Sequence, residues 1–136
     1  LELIGATNAG AFAAQDIARW GELAEPLTPA AFADQCARAF AHSVVHCPGS
    51  SQRIRRIGVV TGAGQSFLKD AAAFGLDALV TGEASEQTWH EAAELGCHVF
   101  ACGHYATERH AVHRIGANIA RQFGLTHVAI DEANPV

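Results

Sequence analysis

Residues 57–65 read Ile57-Gly58-Val59-Val60-Thr61-Gly62-Ala63-Gly64-Gln65, a short apolar run that passes directly into a glycine-rich turn. The same order recurs twice downstream. Residues 78–80 are apolar and lead into Thr81-Gly82-Glu83-Ala84, and residues 98–102 lead into Gly103-His104. Each run is short and is followed by glycine, which predicts a buried strand that ends in a turn. Residues 127–130 are also apolar and predict a last strand.

Helical patterns separate these strands, near residues 66–74, 85–95 and 105–123, and a glycine follows each of them. Glycine is the usual residue just past a helix because it adopts positive φ without a Cβ penalty. Strands that alternate with helices imply βαβ crossovers. We therefore predict an α/β fold with a mainly parallel sheet, built from repeated strand-helix units and covered by helices on both faces.

The chain upstream of this repeat has a different pattern. Thr28-Pro29 is a good N-cap and first-position pair and predicts the start of another helix. Residues 1–26 have only weak periodicity, so we expect a connecting segment or the remnant of a missing N-terminal half. Residues 27–136 then form the α/β domain. The absence of methionine is consistent with a fragment or a processed chain.

Composition narrows the class of protein. The chain has 136 residues, of which 49% are hydrophobic and 17% charged, as expected for one globular domain. A formal net charge of −5 argues against a nucleic-acid surface. No apolar run approaches the roughly 20 residues of a membrane span. The four cysteines lack C-x-x-C spacing, which favours reduced thiols and a cytoplasmic protein.

The segment 103–108 holds the strongest candidate site. His104 and Glu108 are four residues apart at a helix start, so both side chains lie on one face. Imidazole and carboxylate together suit a divalent first-row metal. Glu108 also heads an apolar stripe, where a carboxylate needs a cation or hydrogen bonds. The alternative is that Glu108 favours the helix dipole and His104 is a satisfied turn residue.

The predicted topology gathers further polar residues around this pair. If the strands are parallel, the turns that follow them lie along one edge of the sheet, where ligands bind in open α/β folds. The residues expected there are Gln65, Glu83, Ser85, Glu86, His104 and Glu108, with Asp131 and Glu132 after the last strand. This grouping favours a metal site or an active site for His104 and Glu108.

Three motifs resemble one known family. They are Thr81-Gly82-Glu83-Ala84-Ser85-Glu86-Gln87-Thr88 with His90, then Gly103-His104-Tyr105-Ala106-Thr107-Glu108-Arg109, and finally Asn134-Pro135-Val136. Together they resemble the C-terminal part of the Nif-three-like family, whose bacterial members are called GTP cyclohydrolase I type 2 homologs. Tyr105 departs from the family pattern, since many members have a second histidine there.

The resemblance implies a two-domain α/β protein with a dinuclear site for zinc, iron or manganese, often assembled as a toroidal hexamer. It implies that His104 and Glu108 are metal ligands and that Glu108 bridges the two ions. The other ligands, a histidine pair and an aspartate, belong to an N-terminal half that this sequence lacks. Glu83, or His90, would position or deprotonate the attacking water.

Two functions follow from this resemblance. The first is a metal-dependent hydrolase of the GTP cyclohydrolase-like kind, acting on C–N bonds of an unidentified small molecule and present here as a fragment with an incomplete site. The second is a non-enzymatic metal-binding or scaffold protein. Both imply a homo-oligomer, from dimer to hexamer, without nucleic-acid or membrane partners.

Overall fold

The computed structural model describes residues 1–13, 16–132 and 134. Six strands form one sheet, namely β1 (Ala6–Ala11), β2 (Arg19–Leu27), β3 (Val45–Cys47), β4 (Ile54–Val59), β5 (Ala78–Thr81) and β6 (His98–Ala101). Four α-helices accompany them: α1 (Pro29–Phe40), α2 (Leu68–Ala73), α3 (Glu86–Leu95) and α4 (His104–Phe123). Short 3-10 turns cover Glu2–Ile4 and Gln65–Phe67.

The sheet has the strand order β1-β2-β4-β5-β6-β3. Its centre, β4-β5-β6, is parallel, as the strand-helix repeat predicts. The other three pairings, β1 with β2, β2 with β4 and β3 with β6, are antiparallel. The prediction of a mainly parallel sheet is therefore wrong. The repeat covers only the central strands, and both edges of the sheet come from upstream residues that lack it.

The first 26 residues contribute to the same sheet. Strand β1 and most of β2 lie within this segment and pair with each other, and β2 then pairs with β4. Both strands are near one edge of the sheet and are only partly buried, so their sequences have weak periodicity. For this reason the sequence pattern did not predict them. Whether the segment is also the remnant of a longer N-terminal half stays a prediction.

Helices cover both faces of the sheet, as predicted. On one face, α1 and the first turn of α4 pack on the central strands through a cluster that includes Phe32, Phe40, Ala106, Val80 and Phe100. On the other face, α2 and α3 pack through a second cluster that includes Leu68, Ala92, Leu79 and Val99. Neighbouring strand residues alternate between the two clusters because successive side chains point to opposite faces.

Local sequence signals set the helix boundaries. Thr28 caps α1, with its hydroxyl accepting from the Ala31 amide. Ser85 opens α3 with a reciprocal capping box to Thr88. Gly96 and Gly124 end α3 and α4 in the left-handed conformation, with φ of 71° and 66°. These signals depend on neighbours in sequence, so they could be recognised without knowledge of the sheet.

The last predicted strand does not form. Residues 125–130 follow α4 as an irregular segment, and Val128 and Ile130 are 71% and 84% exposed. This segment runs back along α4, where the His127 ring lies against Gly116. The prediction is wrong because an apolar run becomes a strand only when it pairs with the edge of a sheet. The edge strands here are β1 and β3, and residues 127–130 pair with neither of them.

Two further properties of the described residues bear on function. None of the helices in the ranges 1–13 and 16–132 is long and apolar enough to cross a membrane. The four cysteines are buried free thiols. Burial, helped by the Asp77 carboxylate, raises the pKa of Cys97 to about 12, which makes this thiol a poor nucleophile.

Candidate functional site

The three parallel strands have their carboxyl ends side by side, at one end of the sheet. The turns that follow these strands are joined by main-chain hydrogen bonds. The Gly82 amide donates to the Gly62 carbonyl over 2.8 Å, and the Gly103 amide donates to the Gly82 carbonyl over 3.0 Å. These bonds continue the pairing of β4, β5 and β6 beyond the strands. The turns that carry Glu83 and His104 are therefore fixed beside each other.

Three side chains converge on this edge. Nδ1 of His104 lies 2.5 Å from Oε1 of Glu83, and Nε2 of the same ring lies 3.3 Å from Oε2 of Glu108. His104 is the first residue of α4, so Glu108 follows one turn later on the same face. The side chains are about one-third to one-half exposed. The imidazole thus bridges two carboxylates at an accessible site.

The two carboxylates change the acid–base behaviour of the ring. The hydrogen bond that the ring donates to Glu83 is the largest influence that raises the pKa of His104 above its ordinary value, and the charge of Glu108 acts in the same direction. In the neutral ring, an Nδ1–H that donates to Glu83 leaves the Nε2 lone pair facing Glu108. This is the arrangement that metal-binding histidines show when a carboxylate orients them.

The donor chemistry fits a divalent ion, but it supplies only part of a coordination sphere. Nε2 of His104 and a carboxylate oxygen of Glu108 are both good ligands for zinc, iron or manganese. Among the residues that the structure describes, no group of three or more His, Cys, Asp or Glu side chains is placed to hold a metal ion. Further donors would have to come from outside these residues.

The other residues predicted at the site are placed differently. His90 is exposed on α3, and within the described part of the chain no hydrogen bond or ion pair links it to Glu83, His104 or Glu108. Asp131 lies against the first turns of α4, where Tyr105 donates to it over 2.6 Å and Arg109 pairs with it. The structure therefore joins Glu83, but not His90, to the His104–Glu108 pair.

An open concavity lies next to Glu83. It has a volume of about 430 Å³ and is lined by residues before β3 and by the turns after β5 and β6, including His42, Ser43, Glu83 and Gly103. The ring of His42 stands against Gly103, where a Cβ would come within 3.0 Å of it. No sequence pattern points to His42, because it lies in an irregular segment with no motif around it. This volume is enough for a small molecule beside the carboxylate.

A family model decides the relationship of this chain to known proteins. The model for Duf34/NIF3 (NGG1p interacting factor 3) matches residues 1–135. The chain belongs to this family. The resemblance inferred from the motifs around Glu83 and His104 is thereby confirmed, and the match also includes the first 26 residues. Pro135 and Val136, which complete the third motif, lie outside the described residues.

Curated relatives within the family carry the name GTP cyclohydrolase 1 type 2 homolog. The protein from Pseudomonas aeruginosa is 43% identical over 115 residues, which cover 85% of this chain and 45% of the relative. The protein from Salmonella typhimurium is 36% identical over 134 residues, which cover 98% of this chain and 53% of the relative. The chain thus spans about half the length of the curated relatives it matches.

Several solved structures share this fold. The protein ybgI, described as of unknown function, superposes with a TM-score of 0.93 at 35% identity, covering 99% of this chain and 54% of that one. TTHA1606 from Thermus thermophilus gives 0.86 at 22% identity, covering 99% and 53%. Reduced HcgD from Methanocaldococcus jannaschii gives 0.78 at 20%, covering 91% and 50%. At these lower identities the likeness concerns the fold alone.

Proposed function

We propose that this chain contributes His104 and Glu108 to the metal centre of a metal-dependent hydrolase of the GTP cyclohydrolase-like kind. The observation that carries the proposal is the orientation of His104, because the contact with Glu83 leaves Nε2 free to face Glu108. The cyclohydrolase part of the proposal comes only from the names of the relatives. The remaining ligands, and about two metal ions per full-length protein, are part of the same proposal.

The roles of the chain's own residues follow from the geometry. A divalent ion held here would supply Lewis acidity and lower the pKa of a water molecule. His104 and Glu108 would bind the ion, and Glu108 has a second oxygen with which to bridge to another. Glu83 would orient the imidazole by accepting a hydrogen bond from its Nδ1–H, so we assign it this role in preference to that of general base. His90, which is exposed on the outer side of α3, is proposed only for contact with a substrate.

A small-molecule substrate would enter through the concavity beside Glu83. This space opens to solvent and borders the His104 turn, so a bound molecule would lie next to the proposed ligands. The protein would act in the cytoplasm as a homo-oligomer, from dimer to hexamer. These statements extend the proposal and depend on the same metal centre.

One observation favours the second candidate, a non-enzymatic metal-binding or scaffold protein. The outer face of α4 is apolar and exposed directly beyond Glu108, as expected of a helix that serves assembly. A coordination sphere closed by protein donors would favour this second role, whereas a position open to solvent favours hydrolysis. X-ray absorption of the metal-loaded full-length protein distinguishes the two.

Isothermal titration with zinc tests the proposed ligands. We expect the 136-residue chain to bind zinc weakly, because two protein donors leave most of the coordination sphere to water. We expect the full-length gene product to bind about two ions, as the family resemblance implies, and His104→Ala or Glu108→Ala to reduce this occupancy sharply. His113→Ala, two turns further along α4, is the control and should bind as the wild type does. Tight binding by the short chain that survives His104→Ala would refute the assignment.

A further inference from the structure

The turn after β4 contacts the proposed ligand pair directly. Gly62 has a φ of 67°, and a Cβ built on it would overlap Oε1 of Glu108 and stand 3.1 Å from Nε2 of His104. Among the atoms that such a Cβ would meet, the nearest is a carboxylate oxygen. The Glu108 side chain therefore occupies space that exists only because residue 62 has no side chain.

A buried threonine fixes this turn to α4. Thr107 is 4% exposed, and its hydroxyl accepts from the Gly62 amide over 3.0 Å while donating to the His104 carbonyl over 3.0 Å. One hydroxyl thus joins the main chain of the turn to the residue that carries the imidazole. Thr107 precedes Glu108 in sequence, so the bond also locates the start of the Glu108 side chain.

The opposite side of the turn is held equally firmly. The Gly62 carbonyl accepts from the Thr81 hydroxyl over 3.0 Å and from the Gly82 amide over 2.8 Å, and the Gly64 amide donates to Thr81 over 2.9 Å. Because both sides of Gly62 are bonded, moving the turn aside for a larger residue would break several hydrogen bonds. The side chain of Glu108, which is partly exposed, is the group that would move.

We propose that Gly62 and Thr107 are positioning residues for the His104–Glu108 pair. The Thr107 hydroxyl holds the Gly62 main chain against α4, and the missing Cβ at Gly62 leaves room for the Glu108 carboxylate beside the imidazole. The function that this inference assigns to the two residues rests on the proposed metal centre. The contacts themselves are those of the metal-free chain. The glycine-rich turn is thus a wall of the site.

Substitution of Gly62 tests whether the missing Cβ leaves the room that the Glu108 carboxylate needs. Gly62→Ala adds both backbone strain and the overlap with Glu108, whereas Gly124→Ala, at a φ of 66° with no atom within 4 Å, adds only the strain. In metal-free crystal structures we expect Gly62→Ala to turn the Glu108 carboxylate away from His104. Gly124→Ala should leave the pair unchanged. An unaltered His104–Glu108 contact in Gly62→Ala would overturn the proposal, whether or not the protein binds metal.

The positioning role of the Thr107 hydroxyl is tested by measuring the zinc affinity and the thermal melting of full-length variants. Thr107→Val should lower the affinity about ten-fold, as loss of an outer partner of a metal ligand does. Thr107→Ser keeps the hydroxyl and should bind within about two-fold of the wild type. The control, Thr88→Val, removes another buried threonine, from the capping box of α3, and should lower stability without changing affinity.

The two experiments separate this inference from the proposed function. If the wild type binds zinc through His104 and Thr107→Val binds equally well, the positioning role of Thr107 is refuted while the metal centre stands. If the wild type binds no zinc at His104, the metal centre is refuted, and the metal-free structure of Gly62→Ala alone decides whether the turn positions Glu108.

Discussion

Glu83 controls the acid–base behaviour of His104 through one contact. The carboxylate accepts from Nδ1 and raises the pKa of the imidazole. In the metal-free chain the proton on His104 therefore stabilises the folded state at pH values below the ordinary pKa, and this contribution is lost as the pH rises through the raised pKa. Metal binding at this site would have the opposite dependence, because an ion needs the ring without that proton.

The contact between His104 and Glu83 predicts how zinc affinity depends on pH and how the pKa of His104 responds to mutation. Zinc affinity of the full-length protein should fall on acidification from a pH above the ordinary value of about 6.5. Glu83→Gln should lower the pKa of His104 in the metal-free protein, as measured by NMR of the imidazole protons, because the amide carries no charge. It should also weaken zinc binding about ten-fold or more, because the ring loses its orienting carboxylate.

The control for this prediction is Glu94→Gln, which removes an exposed carboxylate on α3. It should leave both the His104 pKa and the zinc affinity unchanged, and at a pH above the raised pKa of His104 both variants should melt as the wild type does. An equal loss of stability and affinity in Glu83→Gln would instead indicate that Glu83 supports the helix start at Ser85. That outcome would remove it from the site.

At the scale of helices and strands, the packing of the segment after α4 against that helix requires glycine at position 116. Gly116 lies within the helix, and a Cβ there would approach Nδ1 of His127 to 2.6 Å. Alanine is favoured over glycine inside a helix by about 0.5–1 kcal/mol. Gly116→Ala should therefore gain helix stability and lose the contact with His127.

A double-mutant cycle measures the two effects. We expect Gly116→Ala to stabilise the chain more strongly in a His127→Ala background than in the wild type, because the ring is then absent. Urea denaturation gives the four free energies of unfolding. Equal effects in both backgrounds would show that residues 125–130 do not lie against α4 in solution.

The elements that sequence predicts well are those set by local signals. The α3 helix begins at its capping box and ends at Gly96, and the central strands follow from apolar runs that precede glycine. The convergence of Glu83, His104 and Glu108 follows from the same topology, since parallel strands present their carboxyl ends together. A periodic pattern and a few turn residues are enough for this part of the structure.

Long-range pairing sets the rest, and local patterns do not encode it. Residues 127–130 are as apolar as a strand, but no sheet edge receives them. Thr107 looks like an ordinary helical residue until the turn that carries Gly62 is placed against it. The antiparallel edges arise in the same way, from contacts between segments that are distant in sequence.

For the whole molecule, the most consequential surface is the outer face of α4. The apolar stripe that follows Glu108 on α4 is not buried against the sheet, since its residues are exposed: Val112 67%, Ile115 59%, Ile119 46% and Phe123 65%. Leu125, Val128 and Ile130, in the segment after α4, are exposed as well. Exposed apolar residues that recur along one helix face favour association, since isolated monomers seldom expose large apolar patches.

We therefore predict that the 136-residue chain self-associates through α4. Light scattering at micromolar concentration should give a mass above that of the 14.3 kDa monomer. Ile115→Glu should shift the mass towards the monomer, because a buried carboxylate at an apolar interface is costly. Leu95→Glu, at a 41% exposed position at the end of α3, is the matched control and should leave the assembly unchanged.

The position of this face would link assembly to the proposed metal site. Glu108 and the apolar stripe share one side of α4, so a partner that covers the stripe also approaches the two proposed ligands, which need further donors. If association and ligation are coupled in this way, zinc should increase the mass of the wild type and have no effect on that of Glu108→Ala. Zinc-dependent association that persists without Glu108 would place the metal elsewhere on the surface.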